Sequence, residues 1–272
     1  MTARDGIAPP IEPPHDGDPP LAILVDYDGT IALTDVGDTL MAELKTADWE
    51  AETARYDAGL IGSRGLMEWE VGLWEPDPAA MATLAAAQPH DSTFVPFVRR
   101  ARNAGIPVEV VSDGFGFFIA PALERLGVGD IPVITARTTF DGRGRASIAF
   151  PNGNPACLVC GTCKRDRVLA HQAAGRAVVF IGDGESDRYA AGYSDVVWAK
   201  RALVQICLDA DWPFRRWTEF SEIDGWLEAT IEAWRADPAT LVGPVARPYF
   251  CGPEVWGEGR TDPAPGSWPP VR

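Results

Sequence analysis

A parallel β-sheet covered by helices on both faces is the fold predicted for this chain, and three observations predict it. Short apolar runs recur along the sequence: "LAILV", "VEVV", "PVIT", "AVVFI" and "DVVWA". Helix-like stretches such as "FVPFVRRARNAG" and "GFFIAPALERLG" separate most of them. Strand, helix and strand in series imply parallel strands with helical crossovers on both faces of an α/β sheet. The third observation concerns the ends of the runs. Carboxylates and glycines cluster there, and sheets of this kind bind ligands beyond the C-terminal ends of their strands.

Taken in order, residues 1–20 are rich in Pro, Asp and Gly and are expected to form a disordered leader. They contain no apolar segment of the kind a secretory signal needs. The first strand covers "LAILV". Residues 34–96 are then mostly helical in pattern, and "TLMAELKTADWEAETARYDAG" and "SRGLMEWEVGLWE" are both amphipathic. An insertion at the C-terminal end of strand one sits over that end, which makes it a small helical cap and a candidate lid. The tryptophans of "MEWEVGLWE", at helical spacing, fit packing better than a pocket wall. In "GFFIAPALERLG" the apolar residues Phe118, Ile119, Ala122, Leu123 and Leu126 keep a helical period that stops at Gly127. "TTFDGRGRASIAF" interrupts the alternation, and its Asp-Gly-Arg-Gly forms the turn of a hairpin. The α/β core is thus expected over 21–33 and 97–232, the cap over 34–96, and a Pro/Gly/Trp-rich tail with Trp256 and Trp268 over 233–272.

Composition narrows the function classes. The chain has 272 residues, 46% of them hydrophobic, enough for one core plus a small module. A formal net charge of −15 repels phosphate backbones and anionic lipid heads, so neither nucleic acid nor a membrane is an expected partner. No apolar run is long enough to span a bilayer, and a cytoplasmic location is expected. Oligomeric state is left open, a homo-oligomer included. Five cysteines do not make a disulfide scaffold. Cys157, Cys160 and Cys163 in "CLVCGTCK" would need a fourth ligand to hold zinc, and local spacing fixes none. We read that segment as a reduced, turn-rich loop that positions Lys164. Lysine is rare: only Lys45, Lys164 and Lys200 occur.

The residues after the runs carry the chemistry. "LAILV" leads into Asp26, Tyr27, Asp28, Gly29 and Thr30. "VEVV" leads into Ser112, Asp113 and Gly114, and "AVVFI" into Gly182, Asp183, Gly184, Glu185, Ser186 and Asp187. Parallel strands deliver these tips to one edge, where Asp26 and Asp183 converge. Their repulsion would keep one of them protonated unless a divalent cation lies between them. All-oxygen ligands with room for water suit Mg2+. Asp28, two residues past Asp26, addresses a different side of a reacting group. A carboxylate nucleophile beside a carboxyl acid is a workable pair for phosphoryl transfer. The Ser112 hydroxyl, the N–H groups around Gly114, and Lys164 would meet the negative charge that gathers on phosphate oxygens. Ser112 could equally cap a helix starting near Phe115.

Asp-x-Asp-Gly-Thr, Ser after a strand, Lys, then Gly-Asp-Gly-x-x-Asp, in this order, resembles the haloacid dehalogenase-like phosphatases over roughly residues 21–232. The resemblance implies a Rossmann-like core. It also implies Asp26 as nucleophile and Asp28 as acid and base, with Thr30, Ser112, Gly114 and Lys164 at the phosphate. Mg2+ would be held by the Asp26 and Asp183 carboxylates and the Asp28 carbonyl, with Asp187 holding a metal-bound water. The second Asp separates phosphatases from dehalogenases and ion-pumping ATPases. The insertion after the first motif resembles the phosphoserine-phosphatase-like branch. "DYDGTIALTD", "VVSDGFGFFIAPALERLG", "CGTCK" and "AKRALVQIC" are most similar to the methionine-salvage phosphatases of 2-hydroxy-3-keto-5-methylthiopentenyl-1-phosphate. A small phosphorylated metabolite is the expected partner. The alternatives are phosphoserine, another small phosphate ester, or a non-catalytic phosphate-binding protein on the same fold. Two departures stand out. Asp113 replaces the glycine that usually comes after the serine, so its carboxylate must turn away from the phosphate or be neutralised. Asp35 matches the offset of the residue that binds the phosphoserine amine, but no arginine matches the one that binds its carboxylate. Arg64 is the nearest candidate.

Overall fold

The computed structural model describes residues 7–58, 60–154, 157 and 159–241. Among them the chain forms β1 (Leu21–Val25), α1 (Val36–Leu44), α2 (Glu50–Asp57), α3 (Ser63–Leu73), α4 (Pro78–Ala86) and α5 (Phe94–Asn103). Next come β2 (Val108–Phe115), α6 (Gly116–Arg125), β3 (Val133–Phe140), β4 (Ala146–Ala149) and α7 (Lys164–Ala173). The series ends with β5 (Ala177–Gly182), α8 (Arg188–Tyr193), β6 (Val196–Ala199), α9 (Arg201–Asp209), β7 (Arg215–Arg216) and α10 (Phe220–Ala236).

The seven strands make one sheet in the order β4-β3-β2-β1-β5-β6-β7, parallel throughout except where β4 returns antiparallel to β3. β1 is central because all five of its residues are apolar and buried, as a strand covered on both faces requires. Its period of two divides the core. Leu21, Ile23 and Val25 join Phe97, Ile119 and Leu227 on one face, and Leu24 joins Phe180, Ala190 and Leu203 on the other. The strand order reverses at β1: the chain steps to β2 and β3 on one side and to β5, β6 and β7 on the other. That switch opens a crevice at the C-terminal ends of β1, β2 and β5.

α1 to α4 stand between β1 and α5 and overhang this crevice. Asp35 caps α1 by accepting from the Asp38 N–H at 2.8 Å, and Asp77 caps α4 with Pro78 at its first position. Trp74, at the end of α3, packs edge-on to Phe115 with ring centres 4.6 Å apart, so it belongs to the core and not to the pocket wall. The β3–β4 hairpin turns at Asp141–Gly144, as "DGRG" implies, and Phe140 on it packs against Phe117.

Several boundaries differ from the sequence reading. α5 begins at Phe94, inside the segment assigned to the cap, because Phe94 and Phe97 both stack against Phe220 of α10. α10 runs past residue 232 to Ala236, and a 3-10 turn comes next over Pro238–Thr240. The expected disordered leader does not hold for residues 7–20. They have little regular structure, but the Ala8 N–H donates to Asn152 Oδ1 at 2.9 Å. The Pro9 carbonyl accepts from Arg167 at 2.8 Å, and the Glu12 carbonyl accepts from Arg176. Backbone carbonyls thus serve as acceptors for buried arginines, a use no hydropathy pattern reveals. Residues 1–6, and the tail with Trp256 and Trp268, lie outside the described residues. Within the described residues no helix is long and apolar enough to cross a membrane.

Candidate active site

The crevice assembles the residues at the ends of β1, β2 and β5. The Asp26 N–H donates to the Ile181 carbonyl at 2.9 Å, which carries the β1–β5 ladder one residue further and fixes Asp26 at the rim. Gly29 has φ +67°, and any side chain there would run into the Asp183 carboxylate, so the turn after Asp28 needs glycine. On β2 the register shifts between Val111 and Phe115, which lifts Ser112, Asp113 and Gly114 out of the regular ladder. Gly114 is constrained by a close approach: a Cβ there would collide with the Asp28 carboxylate.

Asp26, Asp183 and Asp187 are all buried, and one carboxylate oxygen from each lies within 4.8 Å of the others. Lys164, at the first position of α7 and 2% exposed, points into this cluster. Its Nζ donates to Asp26 Oδ1 at 2.8 Å, to Asp187 Oδ1 at 2.6 Å and to Ser186 Oγ at 3.0 Å. All three ammonium hydrogens therefore have acceptors, and the lysine holds the carboxylates in place. The other Asp187 oxygen accepts from the Asp183 and Gly184 N–H groups at 2.8 and 3.1 Å. Asp183 accepts from the Thr30 hydroxyl at 2.9 Å and faces Arg201 Nη1 at 3.3 Å. Arg201 carries that contact from a left-handed backbone, φ 49°, uncommon for a side chain of its size.

The charges shift one another. Burial above all, then the Asp187 charge, holds the Asp26 carboxyl well above its usual range, against the pull of Lys164. Asp28 is likewise held well up, by burial and then by Asp35 and Asp26, with the Val36 N–H (2.9 Å to Asp28 Oδ1) opposing. Asp183 rises to about 6 through burial and Asp187. Burial works against the Lys164 charge, but Asp187, Asp26 and Asp113 overcome it and hold the ammonium firmly protonated. Three converging carboxylates face one buried ammonium and, at the outer edge of Asp183, the Arg201 guanidinium; the all-oxygen donor set keeps a surplus negative charge, which suits a hard divalent cation.

Above the rim lies a cleft of about 290 Å3, near the lower end of small-molecule sites. Asp26, Asp28, Ser112, Gly114 and Asp183 line its floor; Asp35, Tyr56, Met67 and Glu70 line the cap side. Ser112 does not cap a helix; its Oγ accepts from the Gly114 N–H at 2.9 Å and shapes the turn. The Asp113 carboxylate borders the cleft, and both of its oxygens are engaged by donors from the protein. Ser63 of α3 donates to it at 2.6 Å, and the Thr162 N–H of "CGTCK" at 2.6 Å. Ser63 also accepts from Gly161 N–H at 3.2 Å, so one hydroxyl ties cap, β2 and the cysteine loop together. Cys157, Cys160 and Cys163 are thiols, and among the described residues the one acidic or thiol cluster fit for a metal excludes them.

Two residues expected at the site are elsewhere. Thr30 is fully buried and its hydroxyl is committed to Asp183, so it orients a carboxylate and does not reach the cleft to bind phosphate. Arg64 is outside the cleft wall. It pairs with Glu68 one turn along α3 at 3.2 Å and lies over the Phe150 ring, because its position on the helix faces away from the rim. Conversely, Glu70 was missed. The signal was present: it shares the buried face of α3 with Leu66, Met67 and Val71, and a carboxylate on an apolar stripe is out of place.

Known proteins bear on this arrangement. The family model of haloacid dehalogenase-like hydrolases matches residues 23–192. The 2-hydroxy-3-keto-5-methylthiopentenyl-1-phosphate phosphatase of Brevibacillus brevis is 26% identical over 211 residues, covering 75% of this chain and 93% of its own. A polyol phosphate phosphatase of Saccharomyces cerevisiae is 26% identical over 216 residues, 74% and 90% respectively. Among solved structures, a phosphoserine phosphatase captured as a phospho-aspartyl intermediate analogue superposes with a TM-score of 0.57 at 16% identity, over 76% of this chain and 97% of its own.

Proposed function

Because the chain belongs to the haloacid dehalogenase-like hydrolases and is a phosphoric monoester hydrolase, we propose that it is of the phosphoserine-phosphatase-like branch and cleaves a small phosphorylated metabolite through a phosphoryl group carried on Asp26. One observation carries this reading: Asp26 is held at the rim with Oδ1 on Lys164, while Asp28 stands two residues on, beside Ser112 and Gly114 on the floor of the same cleft.

Each residue of the floor has its own task. The Asp26 oxygen not held by Lys164 attacks phosphorus, and the ester oxygen leaves with a proton from Asp28, whose raised affinity for protons suits an acid. Asp28, now a carboxylate, takes a proton from the water that attacks the Asp26 phosphoryl group. Phosphate leaves, and the Asp26 carboxylate and the Asp28 acid are both restored. Ser112 Oγ and the N–H groups around Gly114 orient the phosphoryl oxygens. Lys164 fixes the nucleophile and offsets its charge. Asp26 and Asp183, with the Asp28 carbonyl, would hold Mg2+, and Asp187 would orient its water. When bound, Mg2+ supplies positive charge to the phosphoryl oxygens and removes the repulsion among the carboxylates.

For the substrate, the methionine-salvage enol-phosphate is the lead candidate. Support comes from the sequence stretches shared with those phosphatases, the Brevibacillus and Lysinibacillus relatives of that name, and a cleft wall without the arginine that a phosphoserine carboxylate would need. The test is release of phosphate from p-nitrophenyl phosphate with and without Mg2+. The expected result is Mg2+-dependent turnover that Asp26→Asn lowers by at least about 1,000-fold. An Asp26→Asn protein as active as the wild type ends the proposal.

A further inference from the structure

Glu70 has no role in the chemistry above, yet it is the most anomalous residue of the cleft. It is 6% exposed, lines the cap side of the cleft, and forms no hydrogen bond or ion pair with any described residue. A carboxyl this buried, with no partner in the protein, is destabilising, and its neighbours on the same helix face, Met67 and Val71, are apolar. Neither of its oxygens is among the sealed, unpartnered atoms of the interior, so what meets them comes from the cleft: water, or a group of the substrate.

The surroundings define that partner. The charges that act on Glu70 are those of Asp35 and Asp38, both carboxylates that line the same cleft. Among the described residues, no lysine, arginine or histidine lines the cleft wall. Lys164 is saturated by its three acceptors, and Arg201 is engaged by Asp183 and the Leu33 carbonyl. A substrate bearing a carboxylate on its alcohol part would meet Asp35 and Asp38 with no counter-charge on the wall, and Glu70 adds a third like charge as it ionises. A hydroxyl would meet what it needs, since it can donate to a carboxylate or accept from a carboxyl. Burial, then the charges of Asp35 and Asp38, pushes Glu70 up to about 8, so near neutral pH it can do either.

We propose that Glu70 is a specificity-determining residue that admits phosphomonoesters whose alcohol part carries hydroxyl groups and excludes those carrying a carboxylate. This rests on the phosphomonoesterase reading above.

Glycerol 3-phosphate and 3-phosphoglycerate test it, because they differ only in CH2OH against COO−. The wild type is expected to favour glycerol 3-phosphate in kcat/KM by at least about tenfold. Glu70→Gln is expected to narrow that ratio at least about threefold, with most of the change in KM for the carboxylate ester. Asp38→Asn, an exposed change that keeps the buried position intact, narrows it in the same direction. Glu68→Gln, on the outer face of the same helix, leaves the ratio as in the wild type. Equal use of the two esters by the wild type, or a ratio unmoved in Glu70→Gln, overturns the inference. A preference for phosphoethanolamine over glycerol 3-phosphate overturns the hydroxyl assignment. If p-nitrophenyl phosphate is turned over while the ratio fails, only the inference falls. If no ester is hydrolysed with Mg2+ present, the phosphomonoesterase reading falls first.

Discussion

The floor of the cleft and its cap side are both acidic, but they treat their charges in opposite ways. On the floor the buried carboxylates have partners: Lys164 spans Asp26 and Asp187, backbone N–H groups hold Asp187, and Thr30 and Arg201 hold Asp183. On the cap side Glu70 is buried without any among the described residues. Chemistry common to all phosphate esters benefits from groups fixed before the substrate arrives. Recognition of one alcohol part benefits from a group whose partner is the substrate itself. On the function proposed above, reaction belongs to the floor and choice of substrate to the cap.

The largest effect on that division is expected at Asp28, which stands on the floor and reaches α1 through the Val36 N–H. Asp28→Asn is expected to lower kcat about 100- to 10,000-fold on every ester alike. Steady-state assays on several esters check this, and a loss confined to some of them would place Asp28 in substrate choice. A smaller effect is expected at the seam. Ser63 on α3 donates to Asp113 on β2, so Ser63→Ala leaves a buried carboxylate with one donor fewer. It should cost roughly 1.5–3 kcal/mol in urea unfolding while kcat on p-nitrophenyl phosphate falls far less than in Asp28→Asn. A kcat loss as large as that of Asp28→Asn would show that the cap takes part in the chemistry.

The last effect is in the pH dependence of stability. Glu70 binds its proton more tightly folded, at about 8, than at the ordinary 4.5, through burial and the charges of Asp35 and Asp38. The wild type therefore loses stability as pH rises from about 4.5 to about 8, and Glu70→Gln lacks this loss. The melting temperature of Glu70→Gln relative to wild type should climb across that window and level off outside it. A flat difference would mean that Glu70 is paired or solvated.

How much of the molecule was legible in the sequence divides along the same line. The floor was legible because its residues sit directly after apolar runs: Asp26 after "LAILV", Asp183 after "AVVFI", Ser112 after "VEVV". A strand tip has one direction to point, so position along the chain fixes position in space. The hairpin at Asp141–Gly144 was legible for a similarly local reason. The cap side was hidden. Which face of α3 meets the cleft depends on how four helices settle over the sheet, and that misplaced Arg64 and concealed Glu70. Thr30 was placed with its motif, but its hydroxyl answers to Asp183, 153 residues further along. β7, two arginines paired beside β6, has no apolar pattern to announce it, and the leader is held through its carbonyls.

The central claim is that the phosphoryl group passes onto Asp26. Acid-quenching the protein during turnover with Mg2+, and then analysing its peptides by mass, tests it most directly. The expected result is one phosphoryl group on the peptide containing Asp26, at higher occupancy in Asp28→Asn, where release to water is slowed, and none in Asp26→Asn. Turnover with no phosphorylated Asp26 peptide in either the wild type or Asp28→Asn, or phosphorylation of a different residue, would contradict it.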